Sequence, residues 1–147
     1  MKLKHAASEA EARQIEYDIW QHWLRDTDIT SRTLVMDAME IRSTPHFDHA
    51  MELLNTAIKR TPDYAEAWNQ RAFMHFLNND YAASLKDIEK ALALEPKHFG
   101  ALAGKARILM KQGRYSDMQA VLKMALEIHP WLKERKLLNP ENLGQPL

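Results

Sequence analysis

Three prolines, Pro62, Pro96 and Pro130, stand 34 residues apart. Proline cannot donate an amide hydrogen and its ring clashes with the preceding turn, so each one ends a helix. Evenly spaced helix stops imply a chain built from units of one length. Other columns keep the same register. Alanine recurs at Ala38, Ala72 and Ala106, and again at Ala57, Ala91 and Ala125. An aromatic recurs as Phe47, Tyr81 and Tyr115, and large apolar residues as Leu34, Trp68, Leu102 and as Leu54, Ile88, Leu122.

The columns have a physical reading. Alanines let two helices of a hairpin cross closely, and the aromatic opens the second helix beside the turn. Asn79-Asp80 and Gly113-Arg114 supply turn chemistry between helices. The stretch Ala65 to Pro96 reads as two amphipathic helices too short to bury their own apolar faces, so it must be stacked between neighbours.

These columns resemble the tetratricopeptide repeat, a 34-residue helix–turn–helix unit. The resemblance implies an all-α fold: a right-handed α-solenoid of three repeats, residues 31–64, 65–98 and 99–132, with capping helices at both ends. A capping box, Ser8-x-x-Glu11, opens a helix expected over 8–25 and taken as the lid on the first repeat. Trp20 and Trp23 on it read as core rather than as a stacking platform. A short charged helix over 131–138, with Trp131, Leu137 and Leu138 closing the last repeat, is expected at the other end. Residues 139–147 read as a loose tail.

Composition narrows the function. The 147 residues amount to one domain, 46% hydrophobic, with 20 basic and 20 acidic side chains and zero net charge. Nucleic-acid and anionic-membrane binding both require a basic surplus that is absent here. Without cysteine there is no disulfide, thiolate metal site or thiol nucleophile. No apolar run approaches the roughly 18 residues of a membrane span. The start, MKLKHAASEAEA, lacks an export signal's apolar core. The chain is therefore read as cytoplasmic, or periplasmic if a signal was removed before this numbering.

Chemistry finds little purchase. His46-x-x-His49 has one-turn metal spacing but no third ligand, so no metal and no cofactor is expected. His75, in the column of Ile41 and Leu109, reads as a half-buried hydrogen-bonded histidine. Nothing resembles a nucleophile–base–orienter set, and no enzyme activity is expected. One column is anomalous, holding Asp37, Arg71 and Lys105 where the family usually has leucine. Unpaired charges there would be costly. Asp37 and Arg71 are expected to pair across the first two repeats, with Lys105 reaching another acid or solvent. The functional reading would make Arg71 a ligand anchor.

The resemblance also implies a concave groove lined by first helices, where an extended peptide binds. Carried over by position, its lining is Arg32, Val35, Met39 and Arg42; Glu66, Asn69, Phe73 and Phe76; and Gly100, Ala103, Arg107 and Met110. An apolar hollow is expected where Phe73 and Phe76 face Gly100, Ala103 and Gly104, flanked by Arg42 and Arg107. A segment with an apolar anchor and an acidic residue would suit it. The Lys and Asn clamp with which some family members grip a C-terminal carboxylate is missing, its positions holding Val35, Met39, Gln70, Gly100 and Gly104. The phrases IWQHWL, AEAWNQRA and LALEPKHFGALAG are similar to those of small bacterial tetratricopeptide proteins. The resemblance thus implies a non-enzymatic interaction module, adaptor or scaffold, for a protein or peptide partner. The alternative is a self-associating homo-oligomer whose groove or end is filled by another copy.

Overall fold

A computed structural model describes residues 2–43 and 45–138, and all regular structure among them is helical. The elements are a 3-10 turn Lys2–His5, then α1 (Glu9–Arg25), α2 (Ile29–Ile41), α3 (Phe47–Arg60), α4 (Ala65–Leu77), α5 (Tyr81–Leu94), α6 (Phe99–Lys111), α7 (Tyr115–Ile128) and a 3-10 turn Lys133–Leu137. Helices α3, α5 and α7 start on the aromatic column, one 34-residue step apart. The tail 139–147 lies outside the described residues. Residues 2–19 with 97–138 form one compact unit and 20–96 the other, the division falling inside α1 between Ile19 and Trp20.

The 20–96 unit holds two hairpins, α2–α3 and α4–α5, with α4 packed on both α3 and α2. Asp28 starts α2 two residues ahead of the repeat boundary, because its carboxylate accepts the Ser31 amide at 2.8 Å. That bond, above all, holds the Asp28 carboxyl below its ordinary range. Ala38, Ala57, Ala72 and Ala91 are all buried, as helix crossings demand. Leu24, from the last turn of α1, joins a core of Val35, Leu54, Ile58, Tyr64 and Met74. The Tyr64 hydroxyl donates to the Leu24 carbonyl at 2.7 Å, satisfying one acceptor left open at the helix end. Burial raises the Tyr64 phenol well above its ordinary range. Trp23 is buried and meets Trp20 edge to face at 5.1 Å.

The other unit is built on the α6–α7 hairpin. His98 caps α6, its Nδ1 accepting the Ala101 amide at 3.0 Å. Leu3 of the first 3-10 turn is buried, and that turn packs against α7. At the start of α1, Ser8 Oγ accepts the Glu11 amide at 3.2 Å while Glu11 accepts the Ala7 amide at 3.0 Å. The helix expected as a lid on the first repeat is thus shared. Its last turns join the first repeat's core, and its first turns bond to the segment after α7 through Arg13 and Glu16.

The expected closing helix over 131–138 is instead the 3-10 turn Lys133–Leu137. An α-helix would offer the Trp131 carbonyl to the Arg135 amide. That carbonyl accepts guanidinium hydrogens from Arg13 and Arg135 instead, each at 2.8 Å, and the Arg135 amide goes to Leu132. Leu132 is buried, whereas Trp131, Leu137 and Leu138 are half-buried.

Helices α4 and α6 end alike. Asn79 and Gly113 take positive φ, 60° and 75°. The following amides, Asp80 and Arg114, reach back to the carbonyls of His75 and Leu109 at 2.9 and 2.8 Å, a Schellman motif in each hairpin. The same column in the first hairpin is Pro45, whose ring forbids positive φ.

Candidate protein-interaction surface

The surface is built where α4 meets the end of α2. Arg42 follows the last residue of α2, and its Nη1 donates to Gln70 Oε1 at 3.0 Å. Gln70 Nε2 donates to Glu66 Oε1 at 2.7 Å, and Asn69 Nδ2 donates to the same oxygen at 3.2 Å. Gln70 and Glu66 are buried, so this chain of polar groups fixes Arg42 from below. Above it the guanidinium sits 4.7 Å from the centre of the Phe73 ring. Such a cation–π contact contributes about 0.5–1 kcal/mol at an exposed site. Phe73 is 39% exposed, and Leu77, one turn on, is exposed too. Phe76 is half-buried against Tyr81, ring centres 5.8 Å apart. The result is an aromatic ledge beside a cation that has no carboxylate partner among the described residues.

The positions expected to line the groove therefore divide. The fold brings together Arg42, Glu66, Asn69 and Phe73, with Phe76 a turn further along α4. Val35 is buried in the core, and Glu66 and Ala103 are buried as well. Arg32 and Met39 are half-buried, and Met39 packs against the core cluster. In the other unit Met110 and Gly100 are half-buried and Arg107 is exposed. Arg107 donates from Nε and Nη2 to Glu134 Oε1, both at 3.2 Å. Gln70 went unnoticed as a positioning group because its bond to Arg42 spans 28 residues and leaves no trace in local spacing.

The expected Asp37–Arg71 pair does not form. Arg71 Nε and Nη2 donate to the two Asp87 oxygens at 2.8 Å each, Nη1 donates to Asn55 at 3.1 Å, and Asp37 is exposed. Asp87 is buried and faces Arg71 within one hairpin, so the fork geometry is met without crossing to another repeat. That bond raises the Arg71 guanidinium above its ordinary range. His75 Nε2 is 3.5 Å from Asp87 Oδ2. Asp87 was legible in principle, as a lone carboxylate in the column of Leu53 and Val121. Its bonds to Asp87 and Asn55 give Arg71 a structural role within the fold. Its guanidinium lies 5.1 Å from the Trp68 ring centre and Lys90 Nζ 5.9 Å from it, while Trp68 Nε1 donates to the Pro62 carbonyl at 2.8 Å.

Among the described residues no group of three or more His, Cys, Asp or Glu side chains is placed to hold a metal. His49 lies beside Glu52, Nδ1 to Oε2 3.8 Å. No helix among them is long and apolar enough to cross a membrane.

Buried alanine columns, equal hairpins and repeated helix ends define a helical-repeat protein, and comparison gives the class its name. A tetratricopeptide-repeat family model matches residues 75–130. A TPR repeat-containing protein of Rhizobium etli is 34% identical over 129 residues, 88% of this chain and 63% of that protein. These matches support the chain as a tetratricopeptide-repeat protein. Two further relatives are anaphase-promoting complex subunit 3 of Schizosaccharomyces pombe and superkiller complex protein 3 of Homo sapiens. The first is 27% identical over 81 residues, 55% of this chain and 12% of that protein; the second is 28% identical over 94 residues, 60% and 6%. The chain spans less than two thirds of the length of each of these relatives.

Proposed function

We propose that this chain is a non-enzymatic interaction module that docks an extended segment of a partner protein along α4, over Phe73 and Phe76. The observation that carries the reading is the pairing of an exposed aromatic with an unneutralised guanidinium, Phe73 with Arg42. An apolar side chain of the partner covers the ring, and an acidic one reaches Arg42, which gives up no existing ion pair to accept it. Asn69 offers hydrogen bonding to the partner's backbone. Two relatives are, by their names, a subunit of one complex and a protein of another, and that supports a protein as the ligand.

Selection of displayed peptides on the full chain tests this. Bound peptides are expected to carry an apolar residue near an acidic one. Phe73→Ala and Arg42→Ala should each weaken them about tenfold, the 1.4 kcal/mol of a modest hot spot. Unchanged affinity in both variants would overturn the assignment. Light scattering over a concentration series addresses self-association: a stable dimer disrupted by Phe73→Ala would make a second copy the occupant.

A further inference from the structure

The end of α7 buries a histidine against the first turns of α1. His129 is fully shielded from solvent, and its ring meets Phe99 edge to face at 4.9 Å. Its Nε2 lies 2.5 Å from Glu16 Oε2, while Nδ1 has no hydrogen-bond partner among the described residues. A carboxylate accepts, so Nε2 carries the hydrogen and Nδ1 holds a bare lone pair in the neutral ring. The same Glu16 oxygen accepts from Arg13 Nη1 at 2.8 Å. Arg13 Nη2 donates to the Trp131 carbonyl at 2.8 Å and to Glu9 at 3.1 Å, and Trp131 Nε1 points at the Ala6 carbonyl, 3.4 Å away.

The charges around the ring leave no place for an imidazolium. Two carboxylates act on it, Glu16 and Glu134, and one cation, Arg13. Glu16 is already matched by Arg13, Glu134 by Arg107, and Glu9, behind them, by Arg13 and Arg135. From α6 the ring meets the uncharged Phe99. A second proton would sit on Nδ1 as a buried donor without an acceptor and add a positive charge beside Arg13. Burial outweighs the pull of Glu16 and holds the imidazole below its ordinary range.

We propose that His129, Glu16 and Arg13 form a proton-sensitive latch, which holds residues 2–19 on the α6–α7 hairpin at neutral pH and lets them go on acidification. Release uncovers Leu3 and Ala12, both fully buried when latched. The latch shares no residue with the docking surface proposed above. The released histidine takes its proton at an ordinary value of about 6.5, and the latched one resists it. The latch equilibrium therefore weakens by up to about tenfold for each pH unit below that point, until the latched ring also protonates.

NMR on the full chain, titrated from about pH 7.5 to about pH 5, reads both sides of this linkage. Imidazole nitrogen shifts should show a neutral Nε2–H ring for as long as the amides of residues 12–19 stay protected from exchange. Protonation and loss of that protection should coincide, while α4 and α5 amides in the same sample keep theirs. His129→Gln retains an N–H for Glu16 but cannot titrate, and should hold 12–19 protected throughout. A ring that titrates in the ordinary range with no change at 12–19 would overturn the latch, as would equal loss of protection in His129→Gln. Should that variant fail to fold, the ring titration of the unaltered protein decides alone.

Discussion

Two places in this molecule set one carboxylate between an arginine and a histidine, and they bury opposite members. Around Asp87 the acid is inside, 5% exposed, with Arg71 forked onto it and His75 at the margin. Around Glu16 the acid is partly exposed, at 23%, and the histidine is fully inside. The same three side-chain types therefore answer to different variables. Near neutral pH, what threatens a buried carboxylate forked by a guanidinium is loss of that partner. A buried imidazole can change charge within that range, and what threatens it is a proton.

Breaking the first cluster should have the largest effect. Asp87→Ala leaves Arg71 without its carboxylate and should destabilise the protein by about 3 kcal/mol in urea denaturation, most of it recovered when Arg71→Met is added. A cost under about 1 kcal/mol would mean that solvent reaches Arg71 freely, and the contrast would collapse.

The second cluster should show itself in the pH dependence of stability. The folded-state value of His129 is depressed, so the unfolded chain binds the proton more readily. Stability is complete above about pH 6.5 and declines as the pH falls below it, with a limiting slope of about 1.4 kcal/mol per pH unit, until the folded ring protonates as well. His129→Gln should flatten that part of the curve. A curve of the same shape in both proteins would assign the acid sensitivity to other groups.

The smallest effect sharpens the comparison. His75 lies at the edge of its cluster, 3.5 Å from a carboxylate already held by two guanidinium bonds. Replacement by Gln should change stability by no more than about 0.5 kcal/mol, as at an ordinary surface site. A larger loss would show that Asp87 depends on both neighbours.

Much of the architecture was legible before any coordinates. The proline, alanine and aromatic columns announced an all-helical repeat fold, because helix stops and small crossing residues act over one or two turns. Asn79-Asp80 and Gly113-Arg114 announced turns between helices for the same local reason. The surface was less legible. Phe73 and Arg42 fall at inward positions of the family pattern, but nothing in that pattern says that a guanidinium caps the ring, or that Val35 beside them is wholly buried. Charge partners were least legible of all. The anomalous column held Asp37, Arg71 and Lys105, and pairing within the column was the economical guess. The true partner of Arg71 was a second anomaly, Asp87, in a column of aliphatics.

By itself the sequence determined the period, the helix class, the hairpin ends and the absence of thiol chemistry, all of which rest on backbone geometry and residue identity within a few positions. Only tertiary structure decided which half of α1 goes with which hairpin, why the segment after Trp131 winds as a 3-10 turn, and which acid Arg71 meets. Those outcomes depend on groups 16 to 118 residues apart arriving within hydrogen-bond distance. Burial then sets their energy, and burial belongs to the folded whole rather than to any stretch of the chain.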